Sequence, residues 1–323
     1  MAIHKAERVI TSHIKQWLAG ILLVCLSQFS QASELKPITI AGGNVNGVYF
    51  QIASELCQLS TSQHPEQACS VLASEGSAEN LQLLRDGTAS VALVQGDLLY
   101  WAQRGEGPYQ GQAMPGLRAI MATHAEPLTL VVRQNEITDI ASLQGRPLYL
   151  GSGNSGSRLT AQVLLSHVGL ADIKQQEVAV EDPAAALCDK KIDAWALVIG
   201  HPNQQVLDVA KRCAIGFLPL KLEPSQNATA PPFYRPSQIP GRLYPGVLQG
   251  TPTLALPAIL VTTDKMDDSS VHSLVEEYWQ HRSEFNKKVS AYANLFRLPA
   301  HMKQAASLIP MHPAASKALA TLH

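Results

Sequence analysis

Twice along this chain an apolar, strand-like run ends in a loop built almost wholly of glycine, asparagine and serine, and a helical pattern follows. The first loop is Gly42-Gly43-Asn44-Val45-Asn46-Gly47, after Ile38-Thr39-Ile40. The second is Gly151-Ser152-Gly153-Asn154-Ser155-Gly156-Ser157, after Pro147-Leu148-Tyr149-Leu150. Glycine lets backbone approach a ligand closely, and a helix start offers unpaired N–H groups at the positive end of a dipole. Two such loops about a hundred residues apart suggest a small anionic ligand gripped from two sides. Neither loop contains an acid. Gly-Asn-Ser clusters are also ordinary turn formers, so one loop alone would carry little. The first loop lacks the Gly-x-Gly-x-x-Gly spacing of a dinucleotide site, and no Gly-Lys-Ser/Thr follows it as in a P-loop.

The intervening sequence supplies the order β-α-β-α. A helix is expected over about 48–60, with Ile52, Leu56 and Leu59 on one face. Val71-Leu72-Ala73 reads as a strand. Ser77 reads as the N-cap of a helix with Leu81 and Leu84 inward and Gly87 as its stop. A strand over 90–94 and a helix from about Asp97 follow. After residue 127 the pattern restarts, with strands over 128–133, 148–150, 177–180 and 193–198. Helices are expected over 140–145, 158–167 and 184–191. The proline-rich stretch 231–245 reads as a long ordered loop, 253–262 as a strand, and the tail from Val271 as a helix whose apolar stripe is core. This order predicts an α/β fold with a parallel sheet covered on both faces. It also predicts two lobes around a ligand cleft, with the chain returning to the first lobe.

The N-terminus reads as a secretory signal. Lys5, Arg8 and Lys15 outnumber Glu7, residues 17–29 are apolar, and Ser30-Gln31-Ala32 suits cleavage after Ala32. The apolar stretch is shorter than the roughly 20 residues that span a bilayer. Losing three basic residues and one acid takes 25 Lys+Arg and 26 Asp+Glu to 22 and 25. With no basic stripe and no recognised motif, nothing points to nucleic acid. Four of the five cysteines lie beyond the signal. Their even number in an exported chain favours disulfides, and spacing favours Cys57–Cys69 and Cys188–Cys213. No Cys-x-x-Cys or histidine cluster accompanies them, so no metal or cofactor is expected.

Six segments, in order, resemble the TAXI solute receptors, the extracytoplasmic proteins associated with TRAP transporters. They are GGNVNGVYF at 42–50, GSAENLQLLRDG at 76–87, VALVQGD at 91–97, EPLTLVVR at 126–133, GSGNSGSRLT at 151–160 and DAWALVIGHP at 193–202; Tyr244-Pro245-Gly246 and TLALPAILV at 253–261 fit later segments. The resemblance covers essentially the whole chain after the signal. It implies a type II periplasmic binding-protein fold and a monomeric periplasmic receptor. It further implies delivery of a small organic acid or amino acid, glutamate-like or a dicarboxylate, to a TRAP-type membrane permease. The lobes would be 33–127 plus about 252–323, and about 128–251. Asn44, Asn46 and the Gly96-Asp97 pair depart from the family's usual residues.

Carried over by position, the pocket comprises Gly43, Asn44, Val45, Asn46, Gly47, Tyr49, Ser77, Asn80, Gln95, Ser152, Asn154, Ser155, Gly156 and Ser157. Neutral amide and hydroxyl donors suit a carboxylate without a buried permanent charge. His201, after a strand, is a further candidate contact, or a satisfied structural histidine. Arg158 could pair with a carboxylate, and Asp97 or Glu126 could receive an ammonium. The rival classes are a sensor subunit signalling through a membrane partner and a secreted α/β hydrolase. The second loop lacks the Gly-x-Ser-x-Gly elbow a hydrolase needs, so a non-enzymatic receptor is expected.

Overall fold

Three short apolar runs, β1 (Ile38–Gly43), β2 (Cys69–Ala73) and β3 (Val91–Gln95), lie parallel in the order β2-β1-β3. The computed structural model describes residues 35–170, 182–221, 233–289 and 305–321, and all of these from Lys36 onward belong to one compact unit. The expected signal segment and the strand expected at 177–180 lie outside the described residues. No described helix is long and apolar enough to cross a membrane.

The helices α1 (Val48–Gln63) and α2 (Ser77–Arg85) connect these strands, and α3 (Gly96–Arg104) follows β3. α1 buries Val48, Tyr49, Ile52, Ala53, Leu56, Cys57 and Ser60, a stripe at helical spacing. The N-cap of α2 is Gly76, at φ 124°, rather than Ser77. Ser77 is the first helical residue, and its hydroxyl accepts from the Gln95 N–H at 3.0 Å instead of capping its own helix.

The sheet is mixed, not parallel as the sequence suggested. With β4 (Leu117–Arg133), β5 (Leu148–Tyr149), β6 (Ala194–Val198), β7 (Ile215–Phe217), β8 (Arg235–Ile239) and β9 (Thr251–Thr263), its order is β2-β1-β3-β9-β4-β6-β5, with β7 and β8 attached to β4 and β9. β9 (Thr251–Thr263) runs antiparallel to β3 and to β4 (Leu117–Arg133). β4 is 17 residues long and changes partner along its length. It pairs with β9 as far as Pro127 and with β6 (Ala194–Val198) from Leu128 onward. β5 (Leu148–Tyr149) adds in parallel to β6, and β7 (Ile215–Phe217) in antiparallel to β4. The two halves of the sheet thus meet on one continuous strand. A returning strand inserted between β3 and β4 is the arrangement expected of a type II two-lobe fold.

The second half carries α4 (Gly156–His167), α5 (Pro183–Cys188) and α6 (Gln204–Arg212). α5 has Asp182 as N-cap, accepting from Ala185 N–H at 2.8 Å, and proline in its first turn. The proline-rich stretch is not all loop. Its middle forms β8 (Arg235–Ile239), which among the described residues pairs only with β9, and Pro236 is tolerated on this edge strand. α7 (Asp268–Lys288) and α8 (Pro313–Thr321) close the first half, packing with α1 over Ile38, Ile40 and Leu260. Both expected disulfides are present: Cys57–Cys69 joins α1 to β2, and Cys188–Cys213 joins the ends of α5 and α6.

Candidate functional site

The strands β1, β5 and β6 and the linking loops end around one cleft of about 450 Å³, where open α/β sheets take their ligands. Several helix starts face it, those of α5 at Asp182 and α6 at Asn203 on the far side. α1 begins behind Asn44–Gly47, α2 behind Gly76, and α4 behind Ser155. The first turns of α1 and α4 carry no acid of their own, which leaves the positive ends of their dipoles toward the cleft. Asn44 shapes the first loop itself: its Oδ1 accepts from Asn46 N–H at 2.9 Å and its carbonyl from Gly47 N–H at 2.7 Å. Gly43 and Gly151, at φ 76° and 115°, hold turns that other residues resist.

The two loops approach each other closely. A Cβ added to Gly156 would stand 1.6 Å from Gln95 Oε1 and 2.9 Å from Ser77 Cβ, so only glycine fits. Gln95 is buried and its Nε2 donates to Thr160 Oγ1 at 3.1 Å, while Ser77 Oγ donates to its Oε1 at 3.3 Å. Thr160 Oγ1 in turn donates to Asp97 Oδ2 at 2.5 Å, and Tyr234 donates to the same oxygen at 3.1 Å. Burial lifts the Asp97 carboxyl to about 6, against the opposing pull of these bonds. A second bridge crosses the rim: Glu75 Oε2 accepts from Asn154 N–H at 3.2 Å.

At the floor Tyr49 donates to Glu126 Oε2 at 2.5 Å, and His124 Nε2 stands 3.5 Å from Glu126 Oε1. Burial, then the Glu126 charge, raises the Tyr49 hydroxyl well above its usual value, so it stays a donor. The far side of the cleft is different in character. Tyr149, Trp195, Leu197 and Ile199 line it, under a rim of Asn203, Gln205, Asp208 and the ion pair of Asp182 with Arg212.

Of the residues expected from sequence, Gly43, Asn44, Asn46, Gly47, Tyr49, Ser77, Gln95, Ser152, Ser155, Gly156 and Ser157 line the cleft. Four are placed elsewhere. Val45 is 55% exposed on the loop's outer side. Asn80 is fully buried, and its amide is spent on the Ala41 and Leu93 carbonyls and the Ser74 hydroxyl, tying α2 to the strands. Asn154 is exposed and meets Glu75 through its backbone. His201 is buried between Thr129 Oγ1 at 2.7 Å and Tyr244 OH at 2.5 Å, and burial lowers its imidazole to about 4. Arg158 is not among the lining residues, and its N–H is taken by the Ser155 hydroxyl at 3.2 Å. That hydroxyl also donates to Ser152 O at 2.9 Å, so it serves its own helix start. Sequence reading missed Glu75, Trp195, Asn203, Gln205 and Asp208. Among the described residues no group of three His, Cys, Asp or Glu could hold a metal.

A model of the NMT1-like family matches residues 40–320 of the chain. Among solved structures, the chain is similar to a Xanthomonas citri protein solved with ATP bound, at 14% identity and TM-score 0.53, over 90% of this chain and 100% of that one. It is similar to a Bordetella bronchiseptica RB50 protein at 18% identity and TM-score 0.50, over 89% of each chain. The periplasmic aliphatic sulphonate binding protein SsuA of Escherichia coli aligns at 16% identity and TM-score 0.49, over 89% of this chain and 84% of that one. The mixed α/β, two-lobe fold is shared with the first two.

Proposed function

The chain belongs to the NMT1-like family, and from that premise we propose that it is a periplasmic solute receptor that binds a small carboxylate and hands it to a membrane transporter. The observation that carries this reading is the convergence of several helix starts on one cleft, those of α1 and α4 with no acid in the first turn. Such starts hold an anion with backbone N–H groups and dipole rather than with a buried cation. The one cationic side chain of the lining, Arg212, is already paired with Asp182. Glu126 at the floor accepts from Tyr49 and suits the ammonium of a glutamate-like ligand better than a second carboxylate. The ordered motifs shared with TAXI receptors favour a TRAP-type, ion-gradient-driven permease as the partner. The Ser155 hydroxyl, occupied at its helix start, is not placed as a nucleophile.

The lobes proposed are residues 33–127 with about 252–323, and about 128–251. They meet where β4 exchanges β9 for β6 at Pro127 and Leu128, and they close around the ligand. Calorimetry on the chain from Ser33, with glutamate, glutamine, succinate, propane-1-sulfonate and a neutral amide, tests the ligand class. At least one carboxylate should bind below millimolar and the neutral amide should not. Gln95→Ala should cost roughly ten- to a hundredfold in affinity, through the bonds that order the loop contact. Equal binding of the neutral amide, or no carboxylate binding, overturns the reading.

A further inference from the structure

Asp97 is a buried acid that the receptor reading leaves unused. It stands in the first turn of α3, fully buried, and its hydrogen-bond partners are neutral: the Leu98 N–H at 2.8 Å, the Thr160 hydroxyl at 2.5 Å and the Tyr234 hydroxyl at 3.1 Å. The Thr160 hydroxyl has one hydrogen, and giving it to Asp97 obliges its oxygen to accept from Gln95 Nε2 at 3.1 Å. The Gln95 amide is thereby fixed, with Oε1 turned toward Ser77 and Gly156. Gln95 lines the cleft and Asp97 does not, so Asp97 reaches the site through Thr160 and Gln95.

These bonds cross the proposed lobe boundary, with Gln95 and Asp97 on one side and Thr160 and Tyr234 on the other. The apolar packing beside them crosses it too. Leu98 and Leu99 of α3 share a core with Ala161, Leu164 and Leu165 of α4, and the Phe233 ring meets those of Tyr100 and Trp101. The start of α3 and the three hydrogen bonds favour the carboxylate form of Asp97. Burial outweighs them and holds the group at about 6, and the Glu126 carboxylate on β4 adds to the rise. The other titratable groups bearing on it are the hydroxyls of Tyr49 on α1, Tyr109 after α3 and Tyr234 before β8, all raised and protonated in this range. Parting the lobes wets Asp97 and returns it toward the ordinary carboxylate range. Closing them, or seating an anion at the start of α4, does the reverse.

Resting on the receptor and two-lobe readings above, we propose that Asp97 is the positioning residue that holds the start of α4 against the first lobe, and that it takes up a proton from solvent as the cleft closes on an anion. The proton goes to Oδ2, where the Tyr234 hydroxyl turns from donor to acceptor, while Oδ1 keeps the Leu98 N–H. The closed form binds the proton better, so its advantage is present in acid and is lost as the pH rises through the Asp97 range.

The test is calorimetry on the chain from Ser33, with whichever of glutamate, glutamine, succinate and propane-1-sulfonate binds most tightly, in buffers of different ionisation enthalpy. The heats give the protons taken up per ligand, and the same count in Asp97→Asn removes the share of the probe, of Glu126 and of the histidines. The difference should be roughly half a proton near pH 6. Relative to Asp97→Asn, wild type should gain roughly fivefold in affinity from about pH 7.5 to about pH 5.5. Thr160→Val should weaken binding about tenfold, and Thr160→Ser, which keeps the hydroxyl, should not. A proton count and pH profile unchanged in Asp97→Asn, or a Thr160→Val protein that binds like wild type, overturns this inference alone and leaves the receptor reading standing. No binding by any of the four acids overturns both. If Asp97→Asn does not fold, the carboxyl 13C signals of aspartate-labelled wild type decide: one aspartate must titrate near 6 and move upward with the probe bound, and none doing so overturns the inference.

Discussion

Alanine at Gly156 sets two effects against each other, and their sizes decide the outcome. Gly156 opens α4, where replacing glycine by alanine favours the helix by up to about 1 kcal/mol. The new Cβ, however, would lie 1.6 Å from Gln95 Oε1, 2.6 Å from Gln95 Cδ and 2.9 Å from Ser77 Cβ. No such contact survives, so the Gln95 amide must leave its place. It gives up the bond to Thr160 and the bond from Ser77, each worth roughly 0.5–1.5 kcal/mol net. An amide that is 3% exposed and left unpaired adds about 1–3 kcal/mol more. The loss is therefore roughly 2–6 kcal/mol before the helix gain, and about 1–5 kcal/mol after it.

Urea denaturation of Gly156→Ala beside Gly153→Ala measures this directly. An alanine Cβ at Gly153 would meet only Arg158 Nη1, at an ordinary 3.6 Å, so that variant should stay within about 0.5 kcal/mol of wild type. Gly156→Ala should also weaken the ligand, because a displaced Gln95 amide no longer orders the contact between the two loops. A Gly156→Ala protein as stable as Gly153→Ala, with unchanged affinity, would refute the reasoning and show that the contact is soft.

Two further outcomes follow from buried groups and crosslinks. Asp97 sits at about 6 and His201 at about 4, so between about pH 4 and 6 folding takes up a proton at Asp97 and gives one up at His201. The Asp97 contribution is lost as pH rises through this window and the His201 contribution as pH falls, each roughly 3 kcal/mol, and they oppose. Asp97→Asn should therefore leave stability that climbs with pH from 4 to 6, read by denaturant midpoints; a slope no steeper than wild type refutes the pairing. Reducing Cys57–Cys69 or Cys188–Cys213, whose separations are 12 and 25 residues, should cost about 3 kcal/mol each, and Cys→Ser pairs that melt with wild type would contradict this.

What the sequence disclosed, and what it concealed, follows the range of each signal. Gly42–Gly47 and Gly151–Ser157 were legible because turn and helix-start chemistry is local: a glycine, a short polar side chain and an apolar run are enough. The Cys pairings were legible because each bridge joins cysteines that are near in sequence, 12 and 25 residues apart. The antiparallel insertion of β9 was not, since residues 251–263 read as a strand without revealing its neighbours. Nor was β8, because Pro236 argues against a strand until the strand is known to be an edge. The first half of β4 was hidden by Thr123, His124 and Glu126, polar residues that break an apolar run yet are buried here because each finds a partner. Asn80 and Gln95 make the same point at the site. Both are buried amides at strand or helix ends beside the first loop, and only three-dimensional placement separates the one that ties strands together from the one that meets the cleft. Glu75 and Trp195 gave no local sign at all. An acid in a turn and a tryptophan in a strand are ordinary residues until a cleft forms around them, and then the first bridges the rim and the second joins its aromatic wall.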